Sequence, residues 1–187
     1  GANGANIAWH PVHKKYYAAM AGNVTYPMLV FDAKGKKLSP NDLETKFDVR
    51  GLWYNPTAKA IQANGYNDFG LAQYKINTEG MPVANNNMEI TMSKPDAQSV
   101  GAYDAKKNVL YFYDMSIASI EPHSITDGAA NDVITLHLSV KDRKDVNDAD
   151  NEELKYDYNE NAIIFTGTPK AEIGLLNVTR KQIELYD

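Results

Sequence analysis

An internal repeat with a spacing of about 50 residues is the feature of this sequence that most limits its possible folds. Each copy reads as an aromatic residue, then His, Asn or Asp, then three variable residues, then Lys or Asn, and then a run rich in β-forming residues. Four stretches fit this pattern: Trp9–Tyr17, Tyr54–Gln62, Tyr103–Tyr111 and Tyr156–Ile164. A sequence with this kind of repeat is typical of a protein assembled from similar structural units.

The repeated pattern predicts a β-hairpin in each copy. A strand ends on the aromatic residue, a turn-forming residue follows, and Lys or Asn closes the turn before the next strand begins. The position after the aromatic residue is called the shared polar position below. It is occupied by His10, Asn55, Asp104 and Asp157.

A second turn recurs at the same offset in the first two copies. Met28–Gly35 and Gln73–Gly80 each read as an apolar strand, Asp or Asn, two loop residues and a glycine. Glycine at this place is typical of a left-handed turn position. Weaker counterparts are Ile125–Gly128 in the third copy and Leu176–Thr179 in the fourth, which has no glycine.

The aromatic-rich composition, with 12 Tyr, 5 Phe and 2 Trp, favours strands over helices. Units of this length with three or four short strands are typical of β-propeller blades. We predict an all-β, β-propeller-like fold with about four blades; the alternative is a β-sandwich or barrel whose hairpins imitate blades. We expect a flexible lead-in at 1–6 and a single repeat domain at 7–187, with units of roughly 7–50, 51–97, 98–152 and 153–187.

The first repeat also resembles a known class of blade. Asn23–Leu38, preceded by the Trp9–Tyr17 hairpin, is similar to blades of bacterial β-propeller repeat proteins of the YVTN/NHL-like and surface-layer type. In those blades a polar turn leads into an apolar strand, then a Gly-Asn segment, here Gly22-Asn23, and then a strand ending in Asp and a Gly-Lys turn. The resemblance implies a propeller scaffold that acts in binding.

Charge and composition exclude several classes of protein. The net charge of −5 provides no basic surface for nucleic acid, and we expect no nucleic-acid partner. The absence of cysteine excludes disulfides, thiolate catalysis and Cys-ligated zinc. We expect no transmembrane segment, because no apolar run approaches the ~18 residues of a membrane-spanning helix. The Gly1–Asn6 start without methionine favours an extracytoplasmic protein, in the periplasm or at the cell surface, whose leader has been removed.

The candidate ligand-binding residues are Trp53, Tyr66, Asn67, Asp68, His10 and Asp104. Trp53 lies outside the repeat register, on the strand face opposite to Tyr54, where one of the two side chains is expected to be exposed. The loop Gly65–Gly70 joins two predicted strands and is rich in groups that form hydrogen bonds with ligands. The alternative interpretation is that this loop is an ordinary turn without a binding role.

No cofactor or metal is expected. His10 and His13 supply at most two ligands across a turn, whereas zinc needs three or four, so they are interpreted as solvated turn histidines. The acidic stretch 145–153 has alternating carboxylates like those of a calcium loop, but it lacks the glycine and the distal glutamate. It is interpreted as a solvated loop.

Two functions remain open from the sequence alone. The first is a non-enzymatic extracytoplasmic binding or interaction module whose ligand is an unknown protein or carbohydrate. The second is a hydrolase or lyase acting on a sugar, lactone or peptide at the mouth of a central channel. The second requires the four residues of the shared polar position to converge on a common point. No nucleophile elbow and no phosphate-binding loop is present in the sequence.

Overall fold

The computed structural model describes residues 3–22, 24–38, 43–136, 158–178 and 180–187. Its regular structure in these ranges is almost entirely β-strand, with a single short 3₁₀ turn at Asn67–Phe69. The strands form four separate antiparallel sheets, and the chain forms two compact units, Gly1–Met92 and Ser93–Asp187. Each unit contains two of the sheets.

The first unit contains sheets 1 and 2. Sheet 1 consists of β1 (Asn3–His10), β2 (Lys15–Ala21) and β3 (Leu29–Asp32), and sheet 2 of β4 (Val49–Asn55), β5 (Ala60–Gly65), β6 (Leu71–Ile76) and β7 (Pro82–Met88). In both sheets, strands that follow one another in sequence are hydrogen-bonded neighbours. The first strand begins at Asn3, inside the segment predicted as a flexible lead-in, and pairs with β2 through an irregularity between Gly4 and Asn6.

The second unit contains sheets 3 and 4. Sheet 3 consists of β8 (Ala102–Asp104), β9 (Val109–Asp114), β10 (Ser119–Ser124) and β11 (Ile134–Thr135), and sheet 4 of β12 (Tyr158–Phe165), β13 (Ile173–Asn177) and β14 (Gln182–Tyr186). These sheets are again simple antiparallel meanders.

Four separate meanders of this kind are the blades of a β-propeller fold, so the predicted four-bladed, all-β architecture is confirmed. A β-sandwich or barrel would instead place strands from different repeats in common sheets. The sheets are separate because each strand bonds to the strand that directly follows or precedes it within its own repeat.

A buried acceptor at the shared polar position holds the predicted hairpin turn in the first three copies. His10 Nδ1 accepts the backbone N–H groups of Val12 and His13 at 3.2 and 3.3 Å. In the same way, Asn55 Oδ1 accepts from Thr57 and Ala58, at 2.9 and 3.1 Å, and Asp104 Oδ1 accepts from Lys106 and Lys107, at 2.8 and 3.2 Å. The acceptor therefore satisfies turn N–H groups that have no partner in the sheet ladder.

The Lys or Asn that closes each turn occupies the left-handed region of the backbone. The φ angles are 50° at Lys14, 50° at Lys59 and 57° at Asn108. A non-glycine residue in this region carries a cost on the order of 1 kcal/mol. The buried acceptor four residues earlier offsets that cost, which explains why the two positions recur together.

The predicted position of the hairpin turn in the fourth copy was wrong. Tyr156 and Asp157 lie outside the described residues, and Tyr158–Phe165 form strand β12, where a turn had been predicted. The fourth turn of this type is formed instead at Asn177, whose Oδ1 accepts the N–H of Arg180 at 2.9 Å and whose closing residue Lys181 has φ 54°. Leu176–Thr179 had been interpreted as the glycine-type second turn.

The same turn also occurs where no repeat was recognised. Asp114 Oδ1 accepts the N–H of Ser116 at 2.8 Å, and Ala118, four residues after Asp114, has φ 48°. This turn joins β9 to β10, the second pair of strands in sheet 3, as the Asn177 turn joins the second pair in sheet 4. The signature is therefore a property of one turn type and does not mark a fixed place in a blade.

The paired second turns of the first two copies are confirmed. Asp32 Oδ1 accepts the N–H groups of Lys34 and Lys36 at 2.8 and 2.9 Å, and Asn77 Oδ1 accepts those of Glu79 and Met81 at 3.0 and 2.9 Å. Gly80 has φ 76°, and a Cβ there would lie 2.7 Å from the ring of His13. Glycine is thus required both by the backbone and by the close approach of the first turn of sheet 1.

The core of the first unit lies between one face of sheet 1 and one face of sheet 2. The side chains of this core include Ala8, Tyr17, Val30, Leu52, Ile61, Ala63 and Tyr74. Two buried tyrosine hydroxyls donate to backbone oxygens outside their own sheet ladder: Tyr17 to Gly80 at 2.6 Å and Tyr74 to Thr45 at 3.0 Å. Burial raises the pKa of Tyr17 to about 12 and raises that of Tyr74 as well, so both hydroxyls remain protonated donors at neutral pH.

The core of the second unit lies between sheets 3 and 4. It contains Val109, Tyr111, Tyr113, Ile120, Tyr158, Ile163, Ile173 and Leu175. The Tyr113 and Tyr158 rings meet edge to face at 6.0 Å, and the Tyr158 hydroxyl bonds to Glu184 and to the Tyr186 hydroxyl. Burial, followed by the bond to Glu184, raises the pKa of Tyr158. In both units, therefore, tyrosine rings lie between the two packed sheets.

Removing the acceptor of one turn tests the role assigned to the shared polar position. We expect Asp104→Ala to lower the free energy of unfolding by roughly 1–3 kcal/mol, because two turn N–H groups lose their partner. Asp104→Asn keeps the acceptor oxygen, as Asn55 and Asn177 do, and serves as the matched control. Urea unfolding of the three proteins measures the difference, and equal losses for the two variants would contradict this role.

Acidification tests the same role at His10, which accepts through Nδ1 and therefore must be unprotonated on that atom. Burial, and then the nearby His13 charge, lower the pKa of His10 below its usual 6.5. The unfolded chain thus binds a proton that the folded chain resists, so stability should fall as the pH drops below about 6.5.

His10→Asn keeps an acceptor but does not titrate, and it should lose less stability than the wild type between pH 7.5 and 5.5. Thermal unfolding at both pH values measures this difference. Parallel losses in the two proteins would show that His10 is not the titrating group.

Candidate functional site

The strand ends of the first unit form two rims with different chemistry. The hairpin rim carries the tight turns after His10, Asp32, Asn55 and Asn77. The loop rim, at the opposite strand ends, consists of Gly22, Tyr26, Phe47–Arg50 and Gly65–Gly70. Three candidate residues, Tyr66, Asn67 and Asp68, lie on the loop rim, and the other three do not.

His10 and Asp104 are buried turn residues. His10 is 3% exposed, so its interpretation as a solvated turn histidine was wrong. Its ring packs on Tyr54 with a centroid distance of 3.8 Å and on His13 at 4.4 Å. Asp104 is also buried, and its second carboxylate oxygen lies 3.5 Å from the Tyr111 hydroxyl. Both side chains are used inside their own turns.

Trp53 belongs to a buried polar network on sheet 2. Its side chain is 7% exposed, and its indole N–H donates to Gln62 Oε1 at 3.2 Å. The same oxygen accepts from Asn55 Nδ2 at 2.9 Å, and Gln62 Nε2 donates to Gln73 Oε1 at 2.8 Å. Of the neighbouring pair Trp53 and Tyr54, it is Tyr54 that is partly exposed. A buried and saturated amide network of this kind fixes the packing of a sheet face.

The Gly65–Gly70 loop is held at both ends by backbone hydrogen bonds. Gly65 N–H donates to Gly70 O at 3.0 Å, and Tyr66 N–H donates to Asp48 O at 2.8 Å. A Cβ at Gly65 would lie 2.4 Å from Phe69 Cβ and 2.7 Å from the Phe47 ring, so only glycine permits this close return of the chain. The short 3₁₀ turn that contains Asn67 and Asp68 is therefore fixed on its strands.

Asp48 connects the three segments of the loop rim. One of its side-chain oxygens pairs with Arg50 and also accepts the backbone N–H of Gly22 at 2.8 Å. The Arg50 guanidinium lies 4.8 Å from the centre of the Tyr66 ring. Since both charged side chains are largely buried, the ion pair and the cation–π contact stabilise one arrangement of the rim.

Two aromatic side chains of the loop rim are exposed to solvent. Phe69 is 44% exposed and packs edge to face on buried Phe47 at 5.5 Å, and Tyr26 is 40% exposed. Asn67 is exposed beside Phe69 and has φ 44°. The rim thus presents aromatic rings and an amide on a rigid backbone, while its buried charges pair with each other.

Sequence reasoning found this loop but missed several of its residues. Phe69 stands inside the Gly65–Gly70 motif, and the signal available for it was an aromatic residue in a turn that otherwise favours polar residues. Asp48, Arg50 and Tyr26 come from other segments, and no spacing links them to Tyr66. Their proximity follows from the sheet packing of the first unit.

The described residues, 3–22, 24–38, 43–136, 158–178 and 180–187, hold neither a metal-binding cluster nor a membrane-spanning helix. Within those ranges no three His, Asp or Glu side chains lie together as a metal site would require. The acidic stretch 145–153 lies outside the described residues. No helix in the described part of the chain has the length and apolar character needed to cross a membrane.

Comparison with known proteins supports the fold. No protein-family model and no curated protein sequence matches this chain. Among solved structures, a luciferin-regenerating enzyme is similar with a TM-score of 0.52 and 10% sequence identity, over 92% of this chain and 53% of that one. At this identity the similarity shows the fold alone.

Two further solved structures have lower scores. A chain of a nidogen/laminin complex has a TM-score of 0.46 at 11% identity, with 96% of this chain covered and 61% of that chain. A protein of unknown function from Bacteroides caccae has a TM-score of 0.47 at 8% identity, with 95% and 71% covered. This chain thus spans between about half and seven tenths of the length of these three. The chain has a β-propeller fold, and its resemblance to YVTN/NHL-like and surface-layer repeats stays a prediction.

Proposed function

We propose that this protein is a non-enzymatic binding module that recognises a carbohydrate through the loop rim of its first unit. The observation that carries the proposal is the pair of exposed aromatic side chains, Phe69 and Tyr26, on a backbone held by Asp48 and Gly65. A fixed loop on a sheet scaffold binds without first losing conformational entropy.

The chemistry of the exposed groups favours a neutral, hydroxyl-rich ligand. Aromatic faces stack on apolar faces of sugar rings, and an amide such as that of Asn67 both donates to and accepts from hydroxyl groups. Asp48 and Arg50 neutralise each other, and Asp68 is the remaining charged residue of the loop rim, so the rim offers no basic group to an anionic ligand. A protein ligand is the second outcome that the experiment below distinguishes.

We place this activity outside the cytoplasm, in the periplasm or at the cell surface, where extended glycans are accessible. The acidic net charge of −5 is compatible with a neutral or cationic ligand and unfavourable for nucleic acid. Fractionation of cells that express the full-length protein tests the location independently of binding.

The hydrolase or lyase alternative gains no support from the shared polar position. His10, Asn55 and Asp104 each bond to N–H groups of their own turn. Such residues are structural, because a catalytic acid or base must reach the reacting atoms. The fourth predicted member, Asp157, lies outside the described residues.

A glycan array with labelled protein tests the proposed function. We expect wild-type protein to bind a subset of glycans, and Phe69→Ala to reduce binding at least tenfold because a stacking surface is lost. Val12→Ala is the matched control, since Val12 is an exposed apolar residue on the hairpin rim of the same unit. It should bind like the wild type.

Thermal unfolding of the three proteins separates lost binding from lost folding, because Phe69 also packs on Phe47. A wild-type protein that binds no glycan would contradict the carbohydrate proposal. Glycan binding that Phe69→Ala and Tyr26→Ala leave unchanged would contradict the assignment to the loop rim.

A further inference from the structure

Positive charge is concentrated on the hairpin rim of the first unit. Gly1–Met92 contains nine Lys and Arg against seven Asp and Glu, a formal net charge of +2. Seven of the nine basic residues lie in or directly beside the four turns of this rim, together with only two acids, Asp32 and Glu79, which gives the rim a local charge of +5. The rest of the unit has two basic residues against five acids, a charge of −3. The seven residues, called the rim lysines, are Lys14, Lys15, Lys34, Lys36, Lys37, Lys59 and Lys75.

Strand register brings these lysines to one end of each sheet. In sheet 1, Lys15 pairs with Asp32, which places the first two turns of the rim side by side. In sheet 2, Ala60 pairs with Lys75, which places the other two turns side by side. Each sheet therefore carries a pair of neighbouring lysine-bearing turns.

The two sheets are in contact at this end. The Tyr17 hydroxyl of sheet 1 donates to Gly80 O of sheet 2 at 2.6 Å, and a Cβ at Gly80 would lie 2.7 Å from the His13 ring. The His10 ring also packs on the Tyr54 ring with a centroid distance of 3.8 Å. The turns of the two sheets thus form one continuous surface.

The rim lysines are accessible and carry uncompensated charge. Six of the seven are exposed, and Lys15 is partly exposed. The two basic residues outside the rim pair with acids, Lys46 with Glu44 and Arg50 with Asp48, but no rim lysine forms an ion pair with another described residue of the unit. A surface that uses charge only for solubility mixes both signs. Segregation of one sign on one rim indicates a partner of the opposite sign.

The turns of the hairpin rim are short, so a flat surface can approach the rim lysines closely. Four residues, 11–14, join β1 to β2, and four residues, 56–59, join β4 to β5. Small residues stand at the start of three of the turns, and all three are exposed: Pro11, Ala33 and Pro56. The lysines therefore extend beyond small residues and are not screened by a long loop.

The residue types of the rim favour a lipid surface over a nucleic acid. All seven basic residues are lysine, whereas nucleic-acid sites rely on the bidentate guanidinium of arginine and on aromatic rings that stack with bases along a groove. Lysine acts as a point charge, and clustered lysines are attracted to the layer of negative headgroups on an anionic membrane. The rim lysines are spread over the turns of two packed sheets, which suits a planar partner.

The acidic net charge of the whole chain does not prevent this contact. Charges are screened over about 8 Å at physiological ionic strength, so a surface that touches the rim responds little to acids farther away. Each lysine close to an anionic lipid surface strengthens binding about fivefold. The local charge of the rim therefore decides the outcome, and the net charge of −5 does not.

We propose that the hairpin rim of the first unit is a binding site for the anionic headgroups of a lipid membrane surface. The rim lysines provide the attraction, and the short turns allow close approach. The loop rim lies at the opposite strand ends of the same unit, so it stays accessible while the hairpin rim is on the membrane. This site is independent of the glycan binding proposed for the loop rim, and either proposal can fail without the other.

Co-sedimentation with lipid vesicles tests the proposal with the full chain. We expect the wild-type protein to bind vesicles of phosphatidylcholine and phosphatidylglycerol in equal parts, and to be released from them by added salt. It should not bind vesicles of phosphatidylcholine alone. Lys14→Asn and Lys59→Asn should each weaken binding about fivefold. Both lysines have positive φ, and Asn108 occupies the equivalent turn position in sheet 3, so these variants keep the turn.

Lys46→Asn is the matched control, with thermal unfolding as the check on folding of all variants. Lys46 lies outside the hairpin rim, is 63% exposed and has φ 54°, so the substitution removes the same charge from the same backbone conformation. Its vesicle binding should equal that of the wild type. Equal weakening by all three substitutions would overturn the proposal, because net charge and not position would then decide binding.

The choice of partner has its own contradicting outcomes. A wild-type protein that does not bind the mixed vesicles, or binds both kinds of vesicle equally, would overturn the proposal. So would binding to dextran sulfate or duplex DNA without binding to the mixed vesicles, because that result assigns the rim lysines to a soluble charged polymer.

Discussion

Face-to-face packing of small antiparallel sheets is the interaction on which the rest of this structure depends. Each sheet has three or four strands and forms no core without another sheet against it. In the first unit the packed pair is joined by Tyr17 and Tyr74, whose rings fill the interface and whose hydroxyls bond to backbone oxygens. In the second unit Tyr113 and Tyr158 occupy the corresponding interface. Tyr17 and Tyr74 each provide a large apolar ring together with a donor for a buried backbone acceptor.

The turns supply a second, local constraint that operates inside each sheet. A side-chain acceptor and a residue with positive φ four positions later define one hairpin type. It occurs at His10, Asn55, Asp104 and Asn177, where the acceptor is buried, and at the partly buried Asp114. His, Asn and Asp exchange freely at the first position because each places an acceptor atom at the same distance from the backbone. The loop rim depends on both constraints, since the sheet packing brings Asp48 to Gly22 and a glycine at position 65 allows the chain to return on itself.

The sequence allowed the fold class to be predicted because turn chemistry and strand periodicity are local and leave visible patterns. The same locality explains the error in the fourth copy. The turn signature fits Tyr156–Asn161 by composition, yet the hairpin forms at Asn177, and nothing in the spacing distinguishes the two. Burial could not be predicted from alternation alone, because alternation separates the Trp53 and Tyr54 faces without saying which is covered. In the candidate site, Tyr66 and Asn67 were identifiable from a glycine-bounded loop, whereas the Asp48–Arg50 pair arises from tertiary packing that leaves no sequence pattern.

In the first unit, sheet 2 carries buried side chains on both faces, whereas sheet 1 is buried on only one face. The two tryptophans report on these surfaces directly, since Trp9 lies on the exposed face of sheet 1, opposite to the core residue Ala8, and Trp53 is buried on sheet 2. Each of the variants Trp9→Phe and Trp53→Phe retains one tryptophan. Acrylamide quenching of these variants in dilute solution measures the solvent access of the remaining tryptophan. We expect the protein that retains Trp9 to be quenched readily with red-shifted emission, and the protein that retains Trp53 to be protected with blue-shifted emission. Equal quenching of the two, or greater quenching of Trp53, would contradict the account.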